Sequence, residues 1–182
     1  MLSPKLIHYL STAALSTAAL RHLVLMRIGI GNDIHRLVTD HSLVLGGVRI
    51  ESDKGAEGHS DADALVHAVT DAVLGALALG DIGSHFPDTD PQWKGADSLQ
   101  LLAHVVRLMK EKNYRVVNVD SIIMLERPKL RPHIDAMREN LARALEVDVS
   151  CVSVKAKTGE GVDAVGQREA VRAEAVILLE SS

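Results

Sequence analysis

The chain has 182 residues, 47% of them apolar and only 2% aromatic, with a formal net charge of −4. That is enough length and apolar content for about one domain with a sizeable core. The shortage of aromatics excludes a base-stacking nucleic-acid platform, and the acidic balance excludes a broad phosphate-binding surface.

Any anionic ligand must then be held by local devices such as a metal ion, a lysine or oriented backbone amides. The single cysteine, Cys151, excludes an intramolecular disulfide and fits a reducing compartment; its apolar run VSCVSV predicts a buried, inert thiol. Residues 1–25 differ from the rest. They carry STAAL at 11–15 and again at 16–20, with no acidic residue, and His8, Arg21 and His22 interrupt any membrane span. Two readings stand: a leader outside the folded domain, with a second start or frayed extension ending at Met26, or a targeting segment. The folded domain is expected over 26–182.

From Met26 the pattern becomes globular. Residues 27–35 (RIGIGNDIH) predict a strand whose alternation ends in polar residues, and 43–50 (LVLGGVRI) a hairpin around Gly46 and Gly47. Leu65, Val66, Val69, Val73, Ala76 and Leu77 recur at helical spacing, which predicts a helix over about 61–79. Ser60 or Asp61 suits its N-cap. A second amphipathic helix is expected over 96–112, capped by Asp97 or Ser98, and a β-rich run over 114–125. Pro132 suits the first turn of a third helix ending at Leu145. Two strands follow, 151–157 and about 171–179, joined by a Gly-rich loop. The order predicts one α+β domain, a layered α/β arrangement in which a small mixed sheet packs against helices.

Chemistry concentrates around the first helix. Asp63, His67 and Asp71 stand four apart and share one side of it. Asp33 and His35 alternate along a strand and so point to one face. Together with His67 they make an Asp-His-His set, which leaves one position open on a tetrahedral Zn²⁺; His67 as a satisfied core histidine is the plain alternative. His59 and Ser60 precede the helix, as phosphate donors at its N-terminus or as simple caps. In the acidic loop 80–90, Asp81 suits sugar hydroxyls. KAKTGEG at 155–161 reads either as a solvated turn or as a diphosphate loop with Glu160 holding a divalent ion.

DIH at 33–35, HSDADALVHAVTDAVLGA at 59–76, GDIGSHFPDTD at 80–90, KGADS at 94–98, RPKLRPHI at 127–134 and KAKTGEG occur in that order. The set resembles the 2-C-methyl-D-erythritol 2,4-cyclodiphosphate synthase family of the non-mevalonate isoprenoid pathway, over nearly all of 26–179. The resemblance implies Zn²⁺ on Asp33, His35 and His67, and Mg²⁺ or Mn²⁺ on Glu160. It implies catalytic roles for His59, which with Ser60 meets substrate phosphate, and for Thr158, which orients the diphosphate. Asp81, Ile82 and Gly83 match the ribose site, and Phe86, Pro87, Asp88, Thr89 and Asp90 border the methylerythritol part. Pro128, Lys129 and Leu130 match a cytosine pocket, with Lys157 and Gly159 in the substrate loop.

The implied partner is a small-molecule cytidine diphosphate, with no nucleic acid and no membrane. The implied assembly is a cytoplasmic homotrimer whose sheets face the three-fold axis and whose sites lie between subunits. The implied reaction is attack of the substrate's own 2-phosphate on its β-phosphorus, with loss of CMP. Lys157, Gly159, Ala164 and Gln167 depart from a frequent family version of the last loop, and Arg168 is displaced by one. This leaves open the hydrophobic pocket linked to that loop on the trimer axis, while Thr158 and Glu160 retain the core chemistry. A zinc-dependent phosphohydrolase and a non-catalytic trimeric module are the competing functions.

Overall fold

The computed structural model describes residues 24–182. The leader therefore lies outside the described residues, apart from Val24 and Leu25. Strand β1 (Met26–Val38) is followed by β2 (Leu43–Leu45), β3 (Val48–Ile50) and the short β4 (Gly55–Ala56). Helix α1 (Ala64–Ala76) and the one-turn α2 (Ile82–His85) precede α3 (Ser98–Glu111) and β5 (Tyr114–Met124). Helix α4 (Ile134–Leu145), β6 (Val152–Lys157), the one-turn α5 (Asp163–Gly166) and β7 (Ala170–Ser181) complete the chain.

Five strands form one mixed sheet in the order β4-β1-β7-β5-β6, antiparallel except for the β5–β6 pair. The β2–β3 hairpin stands apart from it. Gly46 and Gly47 both have positive φ, the backbone that a tight two-residue hairpin requires. Among the described residues three long helices cover one face of the sheet, α1 lying on β1 and β7.

Leu65, Val66, Val69, Val73 and Leu74 of α1 are fully buried, so this helix is apolar nearly all round and forms the centre of the core. It is shorter than its hydrophobic period predicts. Ala62 and Ala78 both take left-handed φ and bound it on either side. The cap is Asp63 rather than Ser60 or Asp61: its carboxylate accepts from the Val66 amide at 3.1 Å and from the hairpin amides of Gly46 (2.9 Å) and Gly47 (2.6 Å). Cys151 is half-buried rather than buried, because it closes a 3-10 turn (Val149–Cys151) ahead of β6 instead of lying inside the strand.

The position of α1 depends on two glycines. A Cβ on Gly29 would lie 1.9 Å from the Ala72 carbonyl oxygen, and one on Gly31 would lie 2.0 Å from that of Ala68. The helix meets them with Ala68, Ala72 and Ala76, so backbone packs directly on backbone. On the opposite face of the sheet Ile28, Ile30, Ile34 and Val176 are 71%, 70%, 58% and 41% exposed, an apolar strip without cover in the single chain.

Gly31→Ala forces a methyl group into a carbonyl oxygen and must push α1 away from β1. A loss of about 3 kcal/mol or more is expected in urea unfolding. Wild-type stability would show that the close approach is dispensable.

Candidate active site

The α1–β1 contact brings three ligand atoms together. Asp33 and His35 point inward from the second half of β1, which runs on to Val38 instead of ending at His35. His67 faces them from the first turn of α1. His35 Nε2 and His67 Nδ1 lie 2.9 and 3.0 Å from Asp33 Oδ2, and 3.2 Å from each other. Among the described residues, these three form the one group of three or more His, Cys, Asp or Glu donors gathered closely enough to hold a metal ion.

The remaining ring nitrogens are engaged elsewhere. His35 Nδ1 lies 3.0 Å from the Glu57 carbonyl oxygen, and His67 Nε2 lies 2.8 Å from Ser98 Oγ and 3.1 Å from Ser60 Oγ. One carboxylate and two outward-anchored imidazoles fit a divalent ion with a position left open for a ligand.

Burial alone would raise the Asp33 carboxyl, but hydrogen bonds and charge from His35 and His67 hold it well below the usual carboxylate range. Burial alone would lower the His35 imidazole; the hydrogen bond and charge of Asp33, with the Glu57 carbonyl, carry it above its ordinary value of 6.5. Between these limits the metal-free chain holds an Asp33–His35 ion pair.

The cluster opens on a cavity of about 240 Å³, lined also by His59, Ser60, Ile82, Gly83, Phe86 and Asp88. Trp93 and Leu101 line it too, and nothing in the motifs marked them. Phe86 is nearly buried and meets Trp93 and His104 edge-on, with ring centroids 5.0 and 5.5 Å apart. Ser60 reaches His67 rather than the helix amides, since Asp63 already caps them. Asp81 caps α2, accepting from the Ser84 amide at 2.8 Å. Asp71 accepts from the Ile82 amide at 2.7 Å and so ties this loop to α1.

Pro87, Thr89 and Asp90 continue the loop without lining the cavity. Asp90 accepts from the Gln92 amide, and its carbonyl lies 3.3 Å from His59 Nε2.

A second cavity, of about 730 Å³, takes the remaining predicted residues: Pro128, Lys129, Leu130, Lys157, Thr158 and Glu160. Gly159 stays outside its lining, its amide donating to Glu126 Oε2 at 3.0 Å. Thr158 Oγ1 donates to Glu160. No described residue lines both cavities, so the predicted residues face two separate cavities of the one chain.

Fold and site together define a small α+β protein built around one candidate divalent-metal centre beside a ligand cavity. Residues 26–180 match the YgbB family, and the chain belongs to it. The 2-C-methyl-D-erythritol 2,4-cyclodiphosphate synthase of Chloroherpeton thalassium is 58% identical over 85% of this chain and 99% of its own length. A synthase structure of the same name, described as the CDP-bound form, superposes with a TM-score of 0.78 at 42% identity, covering 84% of this chain and 99% of that one. The bifunctional IspDF of Campylobacter jejuni gives 0.84 at 36% identity over 88% of this chain; the chain spans 43% of that longer protein.

Protons and metal compete for the same three atoms, and the signs are opposed. The raised His35 contributes stability that is present below its ordinary value and lost as pH rises through its raised one. The depressed Asp33 contributes stability that is present above its ordinary value and lost as pH falls towards its depressed one. Acid therefore favours the metal-free ion pair, while a cation requires neutral His35. Apparent Zn²⁺ affinity should fall about tenfold per pH unit below the raised His35 value. Equilibrium dialysis over roughly pH 5–8 checks this, and an affinity flat across that range would contradict it.

Proposed function

We propose that the chain converts 4-diphosphocytidyl-2-C-methyl-D-erythritol 2-phosphate to 2-C-methyl-D-erythritol 2,4-cyclodiphosphate and CMP, in isoprenoid precursor biosynthesis. The observation that carries this reading is the convergence of Asp33, His35 and His67 at a ligand cavity, in a chain so similar to synthases of that name. The nucleophile is a phosphate oxygen of the substrate itself, already ionised at neutral pH, so no side chain need act as general base. What the protein must supply is a folded substrate and compensation for crowded negative charge.

Zn²⁺ suits the Asp-His-His set, and a divalent ion bound there supplies Lewis acidity and a template for phosphate oxygens. His59 and Ser60 stand beside it, with donors for the phosphate that develops charge. Lys129 and Lys157 bring cations to the second cavity, where Thr158 is placed to orient the diphosphate. Glu160 offers one carboxylate, so Mg²⁺ or Mn²⁺ there would draw its other ligands from phosphate oxygens and water. The cytosine falls to Pro128, Lys129 and Leu130, the ribose to Asp81, Ile82 and Gly83, and the methylerythritol part to the loop from Phe86 to Asp90. The CDP-bound synthase supports a cytidine nucleotide as the ligand class.

The separation of the two cavities, and the exposed strip of Ile28, Ile30 and Ile34, support a homotrimer with this face on the three-fold axis. The site is then completed between subunits. Residues 26–182 constitute the single synthase domain, with 1–25 as a leader ahead of it. No described helix is long and apolar enough to cross a membrane, and the half-buried free cysteine fits a cytoplasmic enzyme.

Assay of the substrate with Zn²⁺ and Mg²⁺ should yield cyclic diphosphate and CMP in equal amounts; inorganic phosphate release would indicate a hydrolase instead. His67→Ala should abolish both turnover and tight metal uptake while leaving the circular dichroism spectrum unchanged. Ile30→Glu should convert the trimer to smaller species in light scattering, with turnover falling in parallel. A fully active monomer would refute the shared site.

A further inference from the structure

The segment 94–98 (KGADS) has no part in the ligand set, yet the fold docks its end against the metal-facing helix. Two backbone bonds fix it there, from the Gly95 amide to the His59 carbonyl (2.8 Å) and from the Asp61 amide to the Ala96 carbonyl (3.1 Å). They place Ser98, a fully buried residue, between two partners. Its Oγ donates to Asp61 Oδ1 and lies 2.8 Å from His67 Nε2. The Asp61 carboxylate is held in turn by the Ser98 amide (3.2 Å) and the Asp63 amide (3.3 Å).

The hydrogen count decides what this chain of groups does. A carboxylate only accepts, and a serine hydroxyl carries one proton. Once that proton is committed to Asp61, the hydroxyl oxygen can only accept from His67. The imidazole must then carry a proton on Nε2, so that Nδ1, 3.0 Å from Asp33 Oδ2, is the nitrogen left to turn a lone pair to a cation. His35 is anchored in mirror fashion: its Nδ1–H donates to the Glu57 carbonyl, and Nε2 faces Asp33.

We infer that Ser98, polarised by Asp61, is a positioning residue that fixes His67 in the Nε2–H tautomer and so presents Nδ1 to the cation. This rests on the metal-centre reading above. Groups of this kind behind metal-bound histidines typically govern affinity by about 10–100-fold. The role explains why a polar side chain is retained in a fully buried position at the first residue of α3, where a cap is already supplied by Asp97.

The test uses the full chain, labelled with ¹⁵N-histidine. In the metal-free wild type, long-range ¹H–¹⁵N spectra should show His67 protonated on Nε2; a bare Nε2 overturns the inference without any variant. Ser98→Ala should bind Zn²⁺ about 10–100-fold more weakly in chelator competition, with His67 spread over both tautomers. Ser98→Thr, which restores the hydroxyl, should recover the affinity and the single tautomer. Wild-type affinity and tautomer in a folded Ser98→Ala protein would overturn the inference while leaving the metal centre intact. A wild-type protein that takes up no Zn²⁺ would overturn the metal centre itself. If Ser98→Ala fails to fold by circular dichroism, the wild-type spectrum and Ser98→Thr still decide.

Discussion

The contact between the backbone of β1 and the backbone of α1 sets the position of everything else. Gly29 and Gly31 remove the layer of side chains that ordinarily separates a helix from a sheet, and Ala68, Ala72 and Ala76 remove it from the other side. The gain is geometric as well as energetic. With α1 at ordinary distance, a histidine on its first turn would not come within 3.0 Å of a carboxylate on the strand. The glycines carry a conformational cost in a strand, and here the fully buried apolar faces of α1 and β7 offset it.

Carboxylates then lock the arrangement. Asp63 gathers the hairpin and the start of α1, Asp61 gathers the start of α3, and Asp71 gathers the loop at Ile82. Asp63 is the extreme case. Full burial pushes its carboxyl up to about 6, although the amides of Gly47, Val66 and Gly46 favour the charged form. Each of these residues accepts backbone N–H groups that would otherwise be buried without partners, a loss of about 1–3 kcal/mol apiece. The polar side of α1 thus divides its labour. His67 faces Asp33 and His35, while the acids around it fix the frame in which His67 sits.

The legible parts of the sequence were those with strong period or strong punctuation. The hairpin at Gly46-Gly47, the apolar period of α1 and the β-rich run of β5 all stand where local pattern puts them. The meeting of Asp33, His35 and His67 was legible as well, because strand alternation and helix spacing place them on facing surfaces. The helix ends were not, since left-handed backbone at Ala62 and Ala78 has no signature in alanine. The true cap, Asp63, was hidden for a similar reason: its partners are two glycine amides sixteen and seventeen residues earlier. Trp93, in the turn ahead of α3, and Leu101 and Ser98 on α3 reach the site through tertiary docking, and approach of that kind leaves no trace in local spacing. One-turn helices such as α2 and α5 are too short to carry a period at all.

Strand β1 serves two masters with one alternation. Its inward set is Gly29, Gly31, Asp33 and His35; its outward set is Ile28, Ile30 and Ile34. A slip of one residue against β7 would exchange the sets, turning the ligands outward and driving isoleucine into the helix contact. The gathering of Asp33, His35 and His67 is therefore tied to the pairing register. A chain whose β1 is misaligned can neither gather the triad nor present its apolar strip, so both faces of the strand would fail together. Variation along this strand is correspondingly confined, because neighbouring positions answer to opposite demands and a shift of one residue satisfies neither.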